Sequence, residues 1–228
     1  MIRADGVFII PTRGRREQLE ELLPNLHATR GGDTRLIVAI DDDDPAYDRG
    51  LSIPLPRNVG FVVGPHEPLT PKLNRWAVPA AQHYPVVGFL ADDVDPGPGW
   101  DIAYYEALQT PGIAIPATFS RADGVGEHQA VSSVIIRGLG WYFQPRLRHY
   151  YTDNVWADLG RGAGCYRTSD AVIIHNHVLS GDETYRQAER HGPSDALAYR
   201  EWRDGDGYIT ELATLKLILD AIGKETPS

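Results

Sequence analysis

Three short apolar runs decide what this chain can fold into. Val7–Pro11 (VFIIP), Leu36–Ile40 (LIVAI) and Val86–Leu90 (VVGFL) read as buried strands, and each ends abruptly in polar residues. The first enters the turn-rich TRGR, the second meets Asp41–Asp44, and the third delivers Asp92, Asp93 and Asp95 ahead of a Pro/Gly turn. Between the first two, Leu19, Leu22, Leu23 and Leu26 mark one helical face, with Pro24 placed to kink or shorten it. Strand, helix, strand in this order predicts a parallel βαβ unit. Ligands of such units sit at the carboxyl ends of the strands.

Further along, a short strand is expected near Phe61–Val63. A helix should start with Thr70 as N-cap and Pro71 at the first helical position, burying Leu73, Trp76, Ala77 and Ala80. Another helix is expected over Trp100–Leu108. The second half predicts strands at Ile113–Thr118, Val131–Arg137 and Ala171–His177, the middle one from its β-branched residues. A short helix is expected over Thr152–Leu159 and two more close the chain, the last with Leu212, Leu215, Leu219 and Ile222 on one face. No internal repeat interrupts this pattern. The expectation is a single α/β domain over residues 1–228, with a nucleotide-binding half to about residue 110 and an acceptor-side half from about 111.

Composition narrows the function. No apolar run reaches the roughly 18 residues that span a bilayer, and MIRADG lacks the apolar core of a signal peptide, so a soluble, cytoplasmic protein is expected. The single cysteine, Cys165, allows no internal disulfide and reads as a packed small residue. A net charge of −9 opposes broad adhesion to nucleic acid, which needs a cationic footprint. Two local basic stretches remain, Arg13, Arg15 and Arg16 near the start, and Arg137, Arg146, Arg148 and His149 later; each suits phosphate or plain surface charge.

The acidic cluster at 92–95 carries the chemistry. Neighbouring carboxylates repel and raise one another's pKa unless a cation neutralises them. Hard divalent ions such as Mg²⁺ or Mn²⁺ take oxygen ligands and share them with substrate phosphates. A solvated acidic turn is the plainer reading, and the position at the end of a buried strand argues against it.

The order VFIIPTRGR, LIVAIDDDD, TPKLNRWA, VVGFLADDVD and PGPGW resembles GT-A glycosyltransferases of the family 2-like type, and small glycosyltransferase-like proteins encoded by bacteriophages. The resemblance covers roughly residues 7 to 180 and implies a single GT-A, Rossmann-like domain with a mixed, mostly parallel sheet flanked by helices. It implies donor contacts from Pro11, Thr12 and Arg13, a uracil or ribose contact from Asp41 or Asp43, and further donor contacts from Asn74 and Asp92. A manganese or magnesium ion is then expected on the Asp-x-Asp pair Asp93 and Asp95. Aligning on Trp100 instead puts the family's first aspartate at Ala91 and its last at Asp93. A later-strand histidine completes the metal site in several such enzymes, which makes His175, ahead of His177, a third ligand; a structural role for the pair is the alternative. In YYTDNVWADLG, Asp153 takes the place of the inverting enzymes' base, with Thr152 where an acid is usual. Asp153 is otherwise a helix N-cap, and Asn74 otherwise a surface amide. Asp182, Glu183 and Tyr185 read as a donor-side lid or a helix cap.

The implied activity is metal-dependent transfer of a sugar from a nucleotide-diphosphate sugar, a UDP-sugar by preference, to a hydroxyl, with inversion. Hydroxymethylated bases of phage DNA, a protein or a glycan are the acceptors the resemblance suggests, and the host cytoplasm the compartment if the chain is phage-encoded. The negative charge leans away from duplex DNA. A non-catalytic nucleotide-sugar binding protein competes with this reading, favoured by the missing first aspartate and by Thr152. A nucleotidyltransferase would want a glycine-rich phosphate loop with a lysine, which TRGRR imitates poorly.

Overall fold

The computed structural model describes residues 6–48, 50–118, 123–176 and 183–225. The first strand, β1 (Gly6–Thr12), is followed by α1 (Arg16–Thr29), β2 (Thr34–Asp41), β3 (Val59–Gly64), α2 (Leu69–Ala80) and β4 (Val86–Phe89). Next come β5 (Val94–Pro96), α3 (Trp100–Ala107), β6 (Ile113–Ile115), β7 (Ala130–Ser132) and α4 (Ser133–Leu139). The chain continues through α5 (Thr152–Gly162), β8 (Tyr166–Thr168), β9 (Ile173–His175), α6 (Glu183–Glu189), α7 (Gly192–Asp204) and α8 (Asp206–Glu225).

Seven strands form one sheet in the order β3-β2-β1-β4-β7-β6-β8, while β5 and β9 make a separate antiparallel pair. The four strands from β3 to β4 run parallel, and β7 lies antiparallel to both β4 and β6. Because side chains alternate along a strand, β1 feeds both faces of the sheet. Val7 and Ile9 join Leu73, Ala77, Ile135 and Trp156 on one side. Phe8 and Ile10 join Leu19, Leu23, Leu26 and Trp100 on the other. That double burial explains why the run is apolar throughout. Gly88 answers Phe8 directly, since a Cβ there would stand 2.2 Å from the Phe8 ring.

Several local expectations change. The run Val131–Arg137 is strand only as far as Ser132; α4 begins at Ser133, and Ile135 and Ile136 are fully buried in it. Burial outweighs β-propensity there. The strand at Ile113 stops at Ile115, and that at 171–177 is limited to Ile173–His175, with His177 and Asp182 outside the described residues. Pro24 is accommodated within α1. The second helix starts at Leu69 with Pro68 at its N-cap, so Thr70 lies inside the first turn. No helix among the described residues is long and apolar enough to cross a membrane.

Candidate functional site

The carboxyl ends of β1, β2 and β4 open into a cavity of about 550 Å³, closed on the far side by α2, the loop before α5, and α6. Its floor is set by the β1–α1 loop. Gly14 turns that loop at φ +67°, a conformation glycine adopts without strain, and its N–H donates to Asp44 Oδ2 at 2.8 Å. Asp44 Oδ1 in turn accepts from the Ala46 N–H, which locks the β2 loop beside it. Thr12 shares a 2.8 Å hydrogen bond with the Tyr47 hydroxyl.

Arg13 bridges two carboxylates, donating to Asp41 Oδ2 at 3.0 Å and to Asp43 Oδ1 at 2.5 Å. Lys72 reaches the other oxygen of buried Asp41 at 2.5 Å. Two cations therefore hold Asp41 at the strand end. The hydrogen bond from Arg13 keeps exposed Asp43 below the usual carboxylate range, and the same bond raises the guanidinium's own pKa. Pro11, Thr12, Arg13 and Asp41 line the cavity, whereas Asp43 stands behind Arg13.

The three aspartates diverge. Asp92 is buried and accepts from Arg15 at 2.7 Å; burial pushes its pKa up, and Arg15 opposes the shift. Asp93 Oδ1 faces His175 Nε2 at 3.0 Å, and the opposite ring atom, Nδ1, lies 2.7 Å from Glu127 Oε2. Burial alone would raise the pKa of Asp93 and lower that of His175. The imidazole and the two carboxylates reverse both effects, leaving Asp93 below its ordinary value and His175 near 9. Asp95 goes elsewhere: it sits on β5 opposite Ile174, is exposed, and accepts from Asn25 Nδ2 of α1 at 2.8 Å. Asp93 belongs to the turn before β5, so the strand alternation that would aim both side chains one way does not reach it.

Glu127, His128 and His175 bring one ligand-type atom each to within 4.8 Å of one another. His128 adopts φ +58° and Tyr151 φ +65°, and these are the non-glycine residues with positive φ among those described. Both line the cavity. Left-handed backbone on bulky residues costs energy and gathers where surrounding structure enforces a functional geometry.

The opposite wall is residues 149–153. Asp153 lies in the first turn of α5 and accepts from Gln129 Nε2 at 2.7 Å. The N-cap position belongs to Tyr151, without a side-chain cap, and Asp153 stands in the first turn, where a carboxylate also complements the helix dipole. The wall is pinned from α7. Asp195, 1% exposed, accepts from the backbone N–H groups of Arg148, His149 and Tyr150 at 2.8–2.9 Å. Asn74 does not line the cavity. Its Oδ1 accepts from the N–H groups of Tyr142 and Phe143, and its Nδ2 donates to the Phe143 carbonyl, so it fixes the loop beside α2 rather than reaching a donor.

His149 gives this wall a pH signature. Burial, with nearby His191, holds its pKa down to about 4, against about 6.5 in an unfolded chain. Above pH of about 6.5 neither state is protonated, but in more acidic solution the unfolded chain binds a proton that the folded one refuses. Stability should therefore fall between about pH 6.5 and 4, by up to about 3 kcal/mol. Urea unfolding of wild type and His149→Gln across that range checks this; the variant should lose most of the slope.

Glu127, His128, Gln129, Lys72 and Asp195 have no place in the sequence reading. The polar triplet EHQ ahead of Ala130 and Val131 was the available signal for the first three. Nothing local marks Asp195, whose partners lie 45 to 47 positions away.

No family model matches the sequence, and no curated protein matches it. Solved structures do resemble the fold. Mannosyltransferase PcManGT from Pyrobaculum calidifontis, in complex with GDP-Man and Mn²⁺, superposes with a TM-score of 0.56 at 14% identity, over 100% of this chain and 77% of that one. Glucosyl-3-phosphoglycerate synthase from Mycobacterium tuberculosis, with Mn²⁺, UDP and glucosyl-3-phosphoglycerate, gives 0.54 at 14% identity over 86% and 80%. TarS 1-349 from S. aureus, with UDP-GlcNAc, gives 0.52 at 13% over 72% of this chain and 55% of that one. Identities this low speak for architecture alone. The mixed, mostly parallel sheet flanked by helices is of the GT-A type these proteins share.

Proposed function

We propose that this chain is a glycosyltransferase that moves a sugar from a nucleotide-diphosphate sugar, a UDP-sugar by preference, to an acceptor hydroxyl with inversion. One observation carries the reading: Asp93, His175 and Glu127 meet on the same cavity that Asp153 lines, at the carboxyl ends of parallel strands. Donor binding is assigned to the half of the chain up to about residue 110, and acceptor binding to the rest.

The residues present fit a divalent cation. Asp93 Oδ1 is buried and, although close to His175 Nε2, accepts no well-aligned hydrogen bond. A carboxylate oxygen facing an imidazole nitrogen at 3.0 Å can share an ion with it, and an imidazole with carboxylates suits Mn²⁺. Asp93 and His175 would hold it, with Glu127 beside them, and when bound it would supply positive charge to a departing diphosphate. Asp95 is left out of this set by its bond to Asn25.

The chain's own groups do the remaining work. Asp153 takes the proton from the acceptor hydroxyl as that oxygen bonds to the anomeric carbon; the bond from that carbon to the diphosphate oxygen breaks, and its electron pair leaves with the nucleotide. Gln129 steadies the carboxylate by donating to Oδ1 while also bonding the Gly126 carbonyl. Arg13 and Arg15, at the β1 loop, supply donors on the nucleotide side.

Titration calorimetry with UDP, with and without Mn²⁺, together with slow hydrolysis of UDP-, GDP- and TDP-sugars, tests this. Binding of UDP that needs Mn²⁺, with release of free sugar, is the expected result. Indifference of UDP binding to the ion removes the metal assignment, and tight binding without turnover would leave a carbohydrate-nucleotide binding protein.

A further inference from the structure

We infer that the acceptor is a neutral sugar ring that stacks on Tyr151 beside Asp153; the assignment rests on the transferase reading and names its second substrate. Tyr151 is a built platform. Its ring stacks on Tyr199 at 5.0 Å and 16°. Tyr199 packs on Trp202 at 5.9 Å, and Trp202 meets Tyr208 edge-on at 5.5 Å. This aromatic ladder runs from the cavity wall into the C-terminal helices. Its members are tied in place, Tyr199 by a hydroxyl bond to Asp158 Oδ2 at 2.6 Å and Trp202 by its indole N–H to Glu211 at 2.9 Å. The backbone at Tyr151 is held left-handed, an uncommon conformation for a bulky residue that the surrounding structure imposes at this wall.

Position and charge select the occupant. The ring precedes the proposed base by two residues, and both line the cavity. Rigid tyrosines suit the apolar face of a pyranose, whose rim of hydroxyls then meets polar neighbours such as Thr152 and Gln187. A polyanion finds little to hold it here. The lysine and arginines among the described cavity residues, Arg13, Arg15 and Lys72, lie on the nucleotide side and are each paired with an aspartate. The basic stretch the sequence offers for nucleic acid is dispersed: Arg137 donates to the Ala81 carbonyl, and Arg148 lines a separate groove against α2.

Methyl and aryl glycosides of neutral hexoses are the probes, with a hydroxymethylated duplex oligonucleotide as the competing acceptor. Binding is followed by ligand-observed NMR, without any need for turnover, and transfer by release of UDP. Glycosides should bind wild type. Tyr151→Gly, which adopts the left-handed backbone freely, should weaken them by about tenfold, and Tyr151→Phe by less than about twofold. UDP affinity should hold in both. If the glycine variant does not fold, Tyr199→Leu removes the backing ring and should weaken glycosides about threefold. Failure of every glycoside to bind, unchanged affinity in Tyr151→Gly, or glycosylation of the oligonucleotide in preference overturns the inference. Failure of the transferase reading itself shows separately, as loss of Mn²⁺-dependent UDP binding in wild type.

Discussion

Asp153→Asn is expected to lower sugar transfer by roughly 10² to 10⁴-fold while leaving UDP affinity within about twofold. The substitution keeps the shape of the side chain, and the amide can still face Gln129, so the helix start should survive. What it removes is the capacity to accept the acceptor's proton. Asp153 stands in the first turn of α5 on the cavity wall, with Tyr151 at the N-cap, so the substitution leaves the cap position itself unchanged. Steady-state kinetics with the best glycoside, together with calorimetric UDP titration, separates the two quantities. Transfer at the wild-type rate in the asparagine variant would take Asp153 out of the mechanism.

The second large effect concerns the ion. Asp93→Ala should weaken Mn²⁺-dependent UDP binding by at least about a hundredfold, with His175→Ala following by a smaller factor. Asp95→Ala serves as the comparison, since its carboxylate is spent on Asn25 at the α1 surface, and its UDP affinity should match wild type. Calorimetry in Mn²⁺ and in EDTA measures all three. Equal losses in the Asp93 and Asp95 variants would restore the literal Asp-x-Asp pair and contradict the geometry. An Asp93 variant that binds as wild type does would end the metal assignment altogether.

Much of the architecture was legible because its signals are local. The runs at 7–11, 36–40 and 86–90 are apolar for the reason that both faces of those strands are covered, and a strand so buried announces itself without help from distant residues. Helix faces such as Leu19, Leu22, Leu23 and Leu26 are equally plain. The failures have a common origin in context. Val134, Ile135 and Ile136 look like strand and form helix, since packing beneath the sheet decides there. Asp93 and Asp95 share a spacing but not a direction, because a turn separates them. Asn74 was placed on the right helix, yet its amide is consumed by a loop 68 to 69 positions later. Of the candidate site, Asp93 was marked by its strand end and His175 and Asp153 by the resemblance, and the fold brings all three to one cavity. The pairing of β5 with β9 sets His175 opposite Val94, next to Asp93, and Glu127 reaches the same imidazole from the segment ahead of β7.

The hold of Asp195 on residues 148–150 links two regions that chemistry keeps apart. The strand-end edge of the cavity is built from β1, β2 and β4, whereas the wall facing it is pinned from α7 by the Asp195 carboxylate and by the stacking of Tyr199 on Tyr151, and from α2 by the Thr70 N–H on the Arg148 carbonyl; α7 rests on α8. Substitutions among the closing helices can therefore reshape this wall of the cavity while the strand ends opposite keep their own contacts. In such a layout, one side of the cavity can drift in shape while the other holds, and the closing helices become the natural ground for divergence.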